Sequence, residues 1–195
     1  MSNEENKVQF GLENVYYATL GDSGYGTPTP IPGAVNLTLN PVGDIEKFYA
    51  DNMLFWASAT NDGYEGELEV VKFPIKMLQE VWGYRISEKD KVLTEIADAA
   101  TVPFALLFRI SGDKNKRNYL IYSCTGTRPS IEGKTVEEGK KTPTTQKISI
   151  TAAPDSNGLV QSSTTASTPK EVVDAWYTTV YTGETAPAAE SGASS

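Results

Sequence analysis

Histidine is absent from this 195-residue chain, and cysteine occurs once. Without an imidazole, the serine-histidine and cysteine-histidine hydrolase mechanisms have no general base to draw off the nucleophile's proton. Cys124 alone can form no intrachain disulfide, and no Cys/His cluster has metal-ligand spacing. A lone cysteine among strand-forming residues reads as a small buried hydrophobe. Long apolar runs are missing too: the longest, Val102 to Phe108, has seven residues, against the roughly 20 that a membrane-spanning helix requires. No membrane span is expected. Basic residues are the minority, 17 Lys and Arg against 25 Asp and Glu, for a net charge of −8. That balance opposes adhesion to nucleic acid through phosphate neutralisation, but it suits a surface past which DNA slides without sticking. No glycine run has phosphate-loop form, because Gly21, Gly24 and Gly26 lead into prolines rather than a helix. No cofactor is expected. The opening residues Met1 to Lys7 carry neither the basic nor the apolar region of a secretory signal, so synthesis in the cytoplasm is expected.

Present instead are Thr, Ser, Gly, Pro and Tyr at strand and turn positions, which favours an all-β class. The length suits one folded domain, taken here as residues 1–182, with the Ala, Ser, Pro and Glu stretch of 183–195 as a disordered tail. Val15-Tyr16-Tyr17-Ala18-Thr19-Leu20 reads as a strand, and the alternate prolines of Thr27 to Gly33 as a stiff extended connector. Val35, Leu37 and Leu39 alternate with Asn36, Thr38 and Asn40, the period of a half-buried strand that Pro41-Val42-Gly43-Asp44 should stop. Met53 to Ala59 and Glu67 to Val71 flank Asn61-Asp62-Gly63, which predicts a hairpin between them.

After Phe73-Pro74, a short amphipathic helix is expected over Ile75 to Trp82, with Ile75, Leu78 and Trp82 on one face and Gly83 as the stop. Val92 to Ala100 fits either helix or strand by spacing, and propensity leans helical. Phe104 to Ile110 and Asn118 to Cys124 form a second hairpin of central strands, and Lys147 to Ala152 a further strand after a polar loop over 130–143. Thr168-Pro169-Lys170-Glu171 has capping-box form, so Val172, Val173 and Trp176 should sit on a short C-terminal helix.

Carboxylates are the catalytic option left by the missing histidine. Glu65, Glu67 and Glu69 fall at alternate strand positions on one face. They form a row rather than a pair set across a cleft, as glycosidase chemistry requires. The row reads as a solvated outer face or as a wall that repels DNA. Tyr16, Tyr17, Trp56, Tyr64 and Trp82 would be the stacking aromatics of a carbohydrate-binding β-sandwich, or else core.

Several blocks resemble the major tail protein, or tail tube protein, family of siphovirus-type phages of Gram-positive bacteria. They are Tyr25-Gly26-Thr27-Pro28 with Pro30-Ile31-Pro32-Gly33-Ala34-Val35, Phe48-Tyr49-Ala50-Asp51-Asn52, Gly63-Tyr64-Glu65-Gly66-Glu67-Leu68, Phe104-Ala105-Leu106-Leu107-Phe108, and Thr127-Arg128-Pro129-Ser130-Ile131-Glu132-Gly133. The likeness runs from about Lys7 to Tyr181. It implies a mainly β fold, an antiparallel β-sandwich or barrel-like domain with one flanking short α-helix and a short C-terminal helix, and a strand near Val92. It also implies hexameric rings that stack into the virion tail tube, working with a tape measure protein, a tail terminator and baseplate or distal tail proteins. DNA would pass through the lumen without specific binding. Within that frame Glu65, Glu67 and Glu69 are candidate lumen-lining residues. Phe48, Tyr49, Asp51, Ile131, Glu132 and Lys134 are candidates for contact between rings. A ring protein of a related cellular injection tube would share this architecture.

Overall fold

A computed structural model describes residues 11–112, 116–133, 135 and 143–183. The chain runs through β1 (Leu12–Gly21), β2 (Gly24–Tyr25), β3 (Thr29–Pro30), β4 (Ala34–Val42), β5 (Ile45–Ala50), β6 (Met53–Ala59), β7 (Gly63–Val70) and α1 (Ile75–Trp82). It continues with β8 (Arg85–Ile86), β9 (Leu93–Thr94), β10 (Phe104–Ile110), β11 (Asn118–Gly126), β12 (Gln146–Ala152), β13 (Gln161–Ser163) and α2 (Lys170–Ala175). The fold is mainly β, and every strand pairing is antiparallel.

The main sheet has the order β2-β1-β10-β11-β12-β7-β4, with β3 on β1 and β13 on β11. It curls until β1 lies beside β4, so one face wraps a barrel-like core. Alternation explains the wrap. Val15 and Tyr17, Phe104 and Leu106, Leu68 and Val70, and Ile148 and Ile150 point inward together. Helix α1 plugs the core with Met77, Val81 and Trp82, and Trp82 donates its Nε1–H to the Gly126 carbonyl at 2.9 Å. The opposite sheet face is covered over β1, β10 and β11 by α2 and the following turn, where Trp176 and Val180 pack on Ala18, Leu107, Leu120 and Tyr122.

Several expectations change in the structure. The hairpin across Asp62-Gly63 does not form: β6 pairs with β5, while β7 pairs with β4 and β12. Gly63 is needed for a different reason, since a Cβ there would strike the Ala152 carbonyl and its φ is +116°. The turn sits instead at Asp51-Asn52, both with positive φ, as a two-residue hairpin of right-handed twist requires. Strand β4 continues through Pro41 to Val42, which is tolerated because β4 pairs on one side only. A bulge at Val35 turns that side chain outward and leaves Ala34, Leu37 and Leu39 against the core.

On α1, Ile75 is exposed and Met77 and Val81 join Trp82 in the buried stripe. The 92–100 segment contains β9, which pairs with β8, and no helix, and Arg128 ties it down through Glu95 and the Ile96 carbonyl. Thr168 does not cap α2: its Oγ1 accepts from the Thr165 amide, and Pro169 occupies the cap position. Pro30 of the stiff connector lies in β3 opposite Tyr16, with Pro28 and Pro32 on either side, and Ile31 is buried there.

Candidate functional site

The row Glu65, Glu67, Glu69 lies on the outer face of β7, on the same side of the sheet that α2 covers farther along. Opposite these residues stand Asn40, Thr38 and Asn36 of β4, and Thr151, Ser149 and Lys147 of β12. Apart from Val35 at the bulge, this half of the face, three strands wide, carries polar side chains. Lys147 Nζ approaches Glu67 at 2.9 Å and Glu69 at 3.7 Å. The hydrogen bond that Lys147 donates to Glu67, with the charges of Glu67 and Glu69, holds its ammonium above its ordinary pKa. Thr145 donates to Glu69 at 2.5 Å. Glu65 is exposed and has no ion-pair partner among the described residues. The face is therefore net acidic but not a bare carboxylate wall: one cation sits among three anions.

The second feature is an arm. Strands β4 and β7 continue past Val42 and Gly63 into β5 and β6, joined by the Thr60 amide on the Asp44 carbonyl at 2.9 Å and the Asp62 amide on the Val42 carbonyl at 2.8 Å. Residues 34–70 thus make one long hairpin whose distal part, β5 and β6, pairs with nothing else among the described residues. Half of the fourteen large hydrophobic side chains exposed on the described residues are here: Ile45, Phe48, Tyr49, Met53, Leu54, Phe55 and Trp56. A bulge sets Phe55 opposite no residue, because Phe48 pairs with Trp56 and Tyr49 with Leu54. Phe55 then meets the Phe48 ring edge-on, with centroids 6.4 Å apart. A solitary two-stranded ribbon is marginal in water, and an apolar patch of this kind marks a surface that another molecule covers.

The structure brings Phe48, Tyr49 and Asp51 together on the arm. It places Ile131, 93% exposed, and Glu132 on a separate loop that runs beside β12, held by the Ser130 amide on the Lys147 carbonyl. Lys134 lies outside the described residues, as do most of the 130–143 loop and the C-terminal stretch from 184. Met53, Leu54, Phe55 and Ile45 are not among the residues the sequence singles out, and Trp56 is there only as a stacking aromatic. The sole signal for them is that Met53-Leu54-Phe55-Trp56 fails to alternate, and such a run reads equally as a buried strand. The aromatics considered for ligand stacking do not converge: Tyr17 and Trp82 are core, Tyr16 packs on Tyr177, and Trp56 is on the arm. Cys124 is fully buried, and burial pushes its thiol up to about 12. Among the described residues no cluster of acidic or thiol side chains is set to hold a metal, and no helix is long and apolar enough to cross a membrane.

No family model matches the chain, and no curated protein does. Among solved structures, it is similar to a chain from the tube-terminating cap of the anti-feeding prophage, with 12% identity over 82% of this chain and 95% of that one, at a TM-score of 0.44. A chain from the anti-feeding prophage baseplate aligns over 86% of this chain and 99% of that one, with 8% identity and a TM-score of 0.49. At these identities the likeness concerns the chain path and not individual residues.

Proposed function

We propose that this chain is a structural subunit of a phage-type tail tube, a single domain over residues 1–182 that acts without catalysis. Copies close into hexameric rings, the rings stack, and DNA passes through the lumen. The observation that carries this reading is the β5–β6 arm. An apolar two-stranded extension, anchored to a well-packed body but unsupported at its tip, is a device for joining copies. The resemblance of the sequence blocks to tail tube proteins supplies the kind of assembly. The bare polar face of β4, β7 and β12 supports a lumen wall of Glu65, Glu67 and Glu69, since a net acidic, strongly hydrated surface lets a polyanion slide. Tape measure, terminator and baseplate proteins are the partners of such a tube, and the virion tail is its location.

Negative-stain electron microscopy of the concentrated protein tests this. Rings with a central hole, or hollow tubes, are expected. A protein that stays monomeric at all concentrations and binds glycans instead would overturn the reading in favour of a carbohydrate-binding module.

A further inference from the structure

The arm needs a receiving surface, and the fold carries one at the other end of the same hairpin. Beside the first residues of β4, the start of β1 and the end of β10 border an open groove of about 430 Å³, lined by Leu12, Val35, Leu37, Phe108 and Ile110 together with the polar Asn36. Val35 is the outward residue of the β4 bulge and is half exposed. Strand β4 has a ladder partner on one side only, so its backbone also offers unpaired groups near this groove. At the start of β4, the Val71 amide donates to the Gly33 carbonyl at 2.8 Å, which holds the exposed Val71 beside the first residues of that strand. Lys72, the next residue, is exposed with no ion pair among the described residues. At the arm tip, Asp51 is likewise exposed and without such a pair.

From Val35 to Asp51 the strand path runs for sixteen residues, up to roughly 50 Å at about 3.3 Å per residue. Complementary surfaces at opposite ends of one ribbon cannot meet within a chain, but they meet between chains arranged head to tail. We propose that the arm tip of one copy seats in the groove bordered by β1, β4 and β10 of the next, with Asp51 meeting Lys72. This rests on the assembly reading above and names the surface that receives the arm. A second groove, of about 360 Å³, lies along α2 and is lined by Val172, Trp176 and Tyr181. Its rim bears Glu171, whose charge opposes Asp51 at the arm tip, while Asp174 nearby is ion-paired with Lys170.

Thiol cross-linking between copies decides the matter, because Cys124 is fully buried and silent. A full-length Asn52→Cys chain is mixed with a Val35→Cys chain, assembled and oxidised. The expected result is a disulfide-linked dimer of unlike chains that neither variant gives alone. Tubes that form normally without this cross-link, or that link Asn52→Cys to Glu171→Cys instead, overturn the groove assignment while leaving the tube reading intact. Absence of any assembly by microscopy, for the wild-type chain too, overturns both. Charge reversal is the second arm. Asp51→Lys or Lys72→Asp alone should raise the critical concentration for assembly about fivefold, and Asp51→Lys with Lys72→Asp should restore it. Singles and double that all assemble equally well would exclude the pairing.

Discussion

Phe55→Ala separates folding from assembly, because Phe55 is 77% exposed on the arm and its one ring partner is Phe48. Within a single copy, truncation removes little buried surface, so the unfolding free energy should stay within about 0.5 kcal/mol of the parent. Burying a whole phenylalanine side chain is worth about 1.5–3 kcal/mol. With most of it still in water in the single copy, about 1–2 kcal/mol is left to be gained when a neighbour covers it. At about 1.4 kcal/mol per factor of ten, the critical concentration for tube formation should rise roughly 5- to 30-fold. Pelleting across a dilution series reads the critical concentration, and thermal melting of the dilute subunit reads the fold. An unchanged critical concentration with an unchanged melt would refute the claim that the arm is an assembly contact. A melt lowered by many degrees would show that Phe55 belongs to the folding core of the subunit itself.

Three further outcomes follow from the same structure. Trp82→Phe removes the indole N–H that satisfies the buried Gly126 carbonyl and leaves a small void beside Phe73. Urea titration should therefore show a loss of about 2–4 kcal/mol, and an unaltered midpoint would contradict that role. Alkaline stability should fall from about pH 9 upward: unfolding returns Cys124 from about 12 toward 9.0 and Tyr122 from about 12 toward 10.0, with Tyr17 and Tyr177 also raised by burial. Above pH 9 the unfolded chain therefore holds fewer protons than the native one, which makes stability decline as pH rises; a urea midpoint flat from pH 8 to pH 11 would contradict it. Finally, Glu65→Lys with Glu67→Lys and Glu69→Lys adds two charges at each position, taking the formal charge from −8 to −2. Tubes of that variant should retain DNA at about 50 mM salt and release it near 200 mM, and tubes that ignore DNA would count against a lumen position for this row.

Where local chemistry and tertiary packing agreed, the fold was legible in the sequence. The apolar run of Phe104 to Ile110 lands as a central strand because both of its faces are covered, one by the core beneath α1 and the other by α2. Gly83 ends α1 in the left-handed conformation that its lack of a Cβ permits. The acidic row falls on one face because strand alternation leaves it no choice. What was not legible depended on distant partners. Lys147 among the glutamates comes from a strand about eighty residues away. Val35 departs from its alternation because of a bulge that only the pairing with β7 defines. The Thr168 box fails because Thr165 takes the capping oxygen first.

The misplaced hairpin and the proposed assembly site rest on one observation. Asp-Gly between two strand-like runs is a strong turn signal only if the runs pair with each other. Here Gly63 exists to let β12 approach, and Asp51-Asn52, with positive φ at both residues, makes the turn. The chain thereby spends Ile45 to Ala59 on a ribbon that its own core never covers. Were that ribbon part of the subunit's own sheet, β6 would show one apolar and one polar face, as β7 does with Leu68 and Val70 inside and Glu67 and Glu69 outside. Met53, Leu54, Phe55 and Trp56 break this rule together, which is the pattern the assembly proposal requires of a ribbon whose packing a neighbouring copy completes.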